Sequence, residues 1–216
     1  MARRKDEIMI SKISAPDSGI ARQAEDLVRS SSSAMLFNHV MRCYWFAELF
    51  AKQEQAKADR ELMFLSAVLH DLGFTEYGRG PARFEIEGAH AARRFLMANG
   101  VAEARAWQVW DIIALHTWDI NLYREDAARL VQFGVLYDVI GLPGATLDSD
   151  DVAEVVRRFP RLGFKRGFHE LLCEELANKQ PYEHRLHICT CIAHHRMKPI
   201  TIPDGQELLN GAPFDE

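Results

Sequence analysis

The sequence predicts an all-α fold, a single bundle of about seven or eight helices spanning residues 1–216. Three observations point there. Apolar residues recur every three or four positions in one segment after another, each bracketed by capping residues or by glycine and proline. No alternating apolar and polar run of useful length marks a strand. The 216 residues, 48% hydrophobic and 26% charged, suffice for one sizeable core, and no repeat, low-complexity run or linker divides them.

Ser30 to Ser33 supply N-caps for a first helix, in which Leu36, Phe37, Val40, Met41, Tyr44 and Phe46 recur to about Lys52. Asp59 caps the next, where Leu62 to Leu69 is apolar all round, as expected of a rod at the centre of a bundle. That helix stops at His70-Asp71-Leu72-Gly73, and the turn formers Tyr77 to Pro81 follow. A helix from Phe84 to Met97 closes on Asn99-Gly100, a good C-cap pair. Further helices cover Ala102 to His116 and Glu125 to Ile140, the latter broken by Gly141 and Pro143. The tail predicts three more, Ser149 to Arg158, Lys165 to Asn178 and Tyr182 to His194.

Composition narrows the function classes. A net charge of -5 offers no bulk basic surface, so nucleic acid and anionic membranes are poor partners, and a small-molecule substrate is the expected one. Self-association is left open. Four cysteines without a CxxC pair suit a reducing compartment, and the longest apolar stretch, Leu62 to Leu69, falls short of the roughly 20 residues of a membrane span. Only Ile8-Met9-Ile10 follows the basic start, too short for a signal-peptide core, so the expected location is the cytoplasm.

The informative residues are polar ones placed where apolar ones belong: His39, His70, Asp71, His90, His116 and Asp138, on or at the ends of five successive predicted helices. Burying an ionised carboxylate such as Asp138 beside Val131 and Val135 costs several kcal/mol unless a cation or donors compensate it. Any single histidine on an apolar face is more often a hydrogen-bonded core residue than a ligand. The set His39, His70, Asp71 and Asp138 points instead to a shared divalent transition metal, since imidazole and carboxylate suit zinc, iron, manganese or nickel.

The order H…HD…D over residues 35 to 145 resembles the HD-domain superfamily of metal-dependent hydrolases, an all-helical fold. Asn38-His39-Val40-Met41-Arg42, Leu69 to Thr75, Arg83 to Ala89 and Ala114 to Thr117 resemble its cyanamide-hydratase-like branch. The resemblance implies His39, His70, Asp71 and Asp138 as metal ligands, with residues 149–195 a C-terminal helical extension. His90 and His116 carry two readings: ligands of a second ion, with Asp71 bridging, or, around one ion, groups that contact substrate and move protons.

A divalent ion with an open coordination position makes hydroxide available near neutrality. The branch resemblance then implies hydration of a nitrile such as cyanamide to urea, with His116 first, then Thr75 and Glu85, as candidate catalytic groups; Thr75 equally suits a turn cap and Glu85 a helix first turn. The alternative is phosphohydrolysis of nucleotides or other phosphate esters, with Arg42, Arg79, Arg83 and Arg93 as candidate phosphate contacts. A di-iron oxygenase and a non-catalytic, ligand-binding module are further alternatives. Trp118 is a candidate pocket wall. The histidines and cysteines of the tail, Cys173, His184, His187, Cys189, Cys191, His194 and His195 among them, read as a surface helix, because Cys189 and Cys191 point to different sides.

Overall fold

The computed structural model describes residues 13–142, 145–178 and 204–215. Among them lie nine α-helices and no strand: α1 (Gly19–Ser31), α2 (Ala34–Gln53), α3 (Arg60–Leu69), α4 (Phe84–Ala98), α5 (Glu103–Ala114), α6 (Asp126–Ile140), α7 (Ser149–Arg158), α8 (Phe164–Asn178) and α9 (Gly205–Asn210). The all-α expectation holds. Short 3-10 turns at Leu72–Phe74 and Asp119–Tyr123 follow α3 and α5. The helix expected over Tyr182 to His194, with the tail histidines and cysteines on it, lies outside the described residues. No described helix is long and apolar enough to cross a membrane.

α2 is the central rod, buried along almost its whole length from Leu36 to Phe50. α6 lies along it, α3 and the α4–α5 pair complete the bundle, and α7 and α8 close over the end of α2 that carries His39. The contact of α2 with α6 is set by Gly134, where any Cβ would collide with the Cys43 carbonyl. That close approach brings Asp138, one turn further along α6, against His39 and Arg42, one turn before and adjacent to Cys43 on α2. Gly73 plays the same part for α4, because a side chain there would strike the backbone of Phe84.

Two helices escape the sequence reading. α1 is polar, burying only Ala21, Ala24 and Val28, and Ser18 caps it by accepting from the Ala21 amide at 3.2 Å. Ser30 and Ser31 therefore end α1, their hydroxyls donating to the Leu27 carbonyl, and only Ser33 caps α2. α9 is six residues long; its Leu209 and the following Ala212 and Phe214 are buried. α5 stops at Ala114, earlier than expected, which leaves His116 just beyond the helix end. Asp59 caps α3 as read from the sequence, accepting from the Leu62 amide at 3.0 Å.

Candidate metal centre

Four helices deliver the polar cluster. His39 projects from α2, His70 caps α3 and Asp71 follows it at a helix end, His116 follows α5, and Asp138 sits on α6. All five are sealed from solvent, at 0 to 2% exposure.

The three imidazoles are oriented by their far edges. His70 Nδ1 lies 2.7 Å from the Ala67 carbonyl and His116 Nδ1 lies 2.6 Å from the Ile113 carbonyl. A carbonyl only accepts, so Nδ1 carries the proton in both rings and Nε2 keeps its lone pair when the ring is neutral. His39 Nδ1 is 2.7 Å from Asp138 Oδ2, with the same consequence. All three Nε2 atoms face one carboxylate: His70 and His39 stand 3.3 and 3.4 Å from Asp71 Oδ2, and His116 stands 3.9 Å from Asp71 Oδ1.

Asp71 accepts no well-formed hydrogen bond on either oxygen, although both are buried. A buried carboxylate without a hydrogen-bond partner, facing three imidazole Nε2 atoms, is a donor set that suits a cation, and one ligand atom each from His70, Asp71 and His116 lie within 4.8 Å of one another. The residues fit a divalent metal. Burial alone pushes the Asp71 carboxyl up, but the His70 and His39 imidazoles outweigh it and hold it well below the usual carboxylate range. Burial pushes His70 down, and Asp71 more than offsets this, so its pKa is raised. His116, desolvated and beside His70, is depressed to about 4.

Asp138 gathers donors from three residues. Its Oδ1 accepts from Arg42 Nε at 2.7 Å and Arg161 Nη1 at 2.9 Å, and its Oδ2 takes Arg42 Nη2 at 2.9 Å and the His39 ring. It thus meets His39 on the edge opposite Asp71. Cys43 also approaches His39, but its sulfur is 3.6 and 3.7 Å from the two ring nitrogens. His39, Cys43 and His70 form a second buried group, one ligand atom from each lying within 4.8 Å of the others.

The other candidate residues separate. His90 is exposed on α4 and accepts from Trp110 Nε1 at 3.2 Å; the structure does not bring it to His116. Thr75 is buried, its hydroxyl donating to the Leu72 carbonyl at 2.7 Å and closing the 3-10 turn. Glu85 is buried, accepts from Thr117 Oγ1 at 2.6 Å and from Arg83, and interacts electrostatically with His116. Burial pushes its carboxyl up, yet Arg83, His116 and Thr117 together leave it lowered. Of the proposed phosphate contacts, Arg42 is consumed by Asp138, and Arg79, Arg83 and Arg93 pair with Glu76, Glu85 and Glu103. Trp118 is half-buried under the Arg83 guanidinium.

An aromatic wall, absent from the sequence reading, covers the centre. Phe164 stacks on His39 at 4.6 Å between ring centroids, Phe168 lies 5.3 Å from the same ring, and Phe84 meets His116 edge-on at 5.7 Å. With Phe74, Leu36 and Leu209 they form an apolar cluster separate from the main core.

The arrangement of His39, His70-Asp71 and Asp138 on a helical bundle coincides with a match to the family model of the HD domain over residues 36–140. That segment is similar to the HD domain. Metal-dependent hydrolases are the general members of that superfamily, and the His/Asp cluster of this chain could hold a metal ion. Among curated proteins, none matches the chain. α7, α8 and α9, and with them Arg161, Phe164 and Phe168, lie beyond the matched segment.

Proposed function

We propose that this chain is a metal-dependent enzyme of the HD type that turns water on a small, uncharged electrophile, with hydration of a nitrile such as cyanamide the leading reaction. The observation that carries it is the orphaned Asp71 carboxylate, ringed by three Nε2 atoms beneath a phenylalanine ceiling. His39, His70, Asp71 and His116 would hold one divalent ion, zinc, iron, manganese or nickel by donor type. When bound, such an ion supplies Lewis acidity that acidifies water toward neutrality and polarises a substrate atom.

The chain's own groups divide the remaining work. The Ala67 and Ile113 carbonyls and Asp138 hold the three rings in one tautomer, so no reorganisation is needed when an ion enters. Phe74, Phe84, Phe164 and Phe168 exclude bulk water and favour an uncharged substrate. Glu85, kept ionised and supported by the Thr117 hydroxyl, is suited to take a proton from water and return it to the nitrogen that gains negative charge. Thr75 closes a turn and His116 has both ring nitrogens committed, so neither is assigned the proton.

Phosphate-ester hydrolysis is less well supported, because every arginine proposed for phosphate already has a carboxylate partner. The exposed position of His90 gives a di-iron oxygenase no support either. Metal analysis of the purified protein, followed by assay of that sample with cyanamide, aliphatic nitriles and nucleoside monophosphates, tests the reading. Urea or amide formation in proportion to bound metal is expected; phosphate release without hydration would overturn it.

A further inference from the structure

Asp138 is neutralised twice over. Arg42 already forms a two-pronged pair with it, yet Arg161, equally buried, adds a second guanidinium from the far side. Arg161 Nη1 reaches both the Asp138 carboxylate, at 2.9 Å, and the Asp138 backbone carbonyl, at 3.3 Å, so it fixes the side chain and its own backbone together. The guanidinium is held between Phe164 and Phe214, 4.8 and 4.7 Å from their ring centroids.

The segment that delivers Arg161 is strapped to α2. Arg42 Nη1 donates to the Phe159 carbonyl at 3.0 Å, and Asn38 Nδ2 donates to the Pro160 carbonyl at 2.8 Å. Leu162 and Gly163 then take left-handed conformations, φ 54° and 73°, which turn the chain into α8 with Arg161 facing inward. A leucine in that region is uncommon and persists where its surroundings enforce it.

We propose that Arg161 is a positioning residue for the metal centre. With Arg42 it holds Asp138 as a fixed anionic acceptor for the His39 Nδ1–H, so the connection between α7 and α8 sets the direction of the His39 Nε2 lone pair. Its consequence for metal affinity rests on the metal reading above; its effect on the His39 ring does not. A merely structural Arg161 would anchor α8 and leave both unchanged.

The test uses the full chain with Arg161→Gln and Arg161→Lys. Imidazole nitrogen NMR of metal-free protein reads the His39 tautomer, and competition against a chromophoric chelator reads Zn2+ affinity. In the wild type His39 gives a single, exchange-protected Nδ1–H. Arg161→Gln loses that protection and binds Zn2+ about tenfold more weakly; Arg161→Lys, which keeps the charge but not the planar stacked fork, loses about threefold. A folded Gln variant with an unshifted His39 signal and a Zn2+ affinity within about twofold of wild type would overturn the proposal. Should the Gln variant not fold, the Lys variant decides on the same two readouts. A wild type without Zn2+ affinity sinks the metal reading alone, because the His39 spectra still decide the role of Arg161.

Discussion

Asp71 and Asp138 are both buried at the same centre, and replacing each by asparagine should have opposite consequences for the metal-free protein and for its response to metal. Asp138→Asn keeps the shape of the carboxylate but turns one of its acceptors into a donor. Whichever way the new amide is flipped, its NH2 faces two donors: either Arg42 Nε and Arg161 Nη1, or Arg42 Nη2 and His39 Nδ1. Neither arginine can discharge, since a guanidinium keeps its proton at any pH the fold survives. The substitution therefore leaves buried cations under-compensated, at a cost of about 3–5 kcal/mol. For a chain of this size that lowers the thermal midpoint by about 6–20 °C.

Asp71→Asn differs because the group opposite can discharge. The Asp71 carboxylate is what raises the His70 pKa, so without it His70 can rest neutral, its Nδ1–H on the Ala67 carbonyl. The loss should stay within about 1.5 kcal/mol, the scale of a single hydrogen bond. With Zn2+ present the order reverses in kind. The wild type gains about 2.7 kcal/mol at a hundredfold excess over Kd, whereas Asp71→Asn gains nothing. Thermal unfolding in chelator and in Zn2+ measures all four quantities. Equal destabilisation by the two substitutions in chelator, or an intact Zn2+ shift in Asp71→Asn, would refute the division of labour between the two aspartates.

The raised His70 pKa gives metal uptake a pH dependence of definite sign. The stability of the His70–Asp71 pair is fully present below 6.5, the unfolded imidazole value, and is lost as pH rises through the raised folded value. An entering ion must displace the extra His70 proton, so Zn2+ binds more tightly as pH rises over that window and releases protons, as calorimetry in buffers of different ionisation enthalpy will report. Because the main core is separate from the aromatic cluster over the centre, chelator-treated protein should keep its helical circular dichroism while losing activity; unfolding on chelation would instead mark the metal as structural. Gly134→Ala forces a Cβ onto the Cys43 carbonyl and should cost about 1–3 kcal/mol, read from urea unfolding; a neutral result would show that the crossing of α2 and α6 has slack.

Burial was legible in the sequence because it follows from residue type against helical period, and that is how His39, His70, Asp71, His116 and Asp138 can be picked out before any coordinates. The same period could have set His90 aside. The buried stripe of α4 runs through Phe84, Gly88, Ala91, Ala92 and Leu96, and His90 falls two positions from both Gly88 and Ala92, across the helix from them. Polar α1 and six-residue α9 were missed because so few of their side chains are buried. What spacing cannot encode is which edge of an imidazole a neighbour occupies. The second guanidinium on Asp138 comes from Arg161, 23 positions later and beyond the matched segment, where no spacing rule on α2 and α6 could find it. The phenylalanine ceiling is hidden for a related reason: Phe74, Phe84, Phe164 and Phe168 come from a 3-10 turn and two helices, and each alone reads as ordinary core. The fold gives Asp138 four donors and Asp71 none well formed, a contrast made by long-range packing that helical period does not encode.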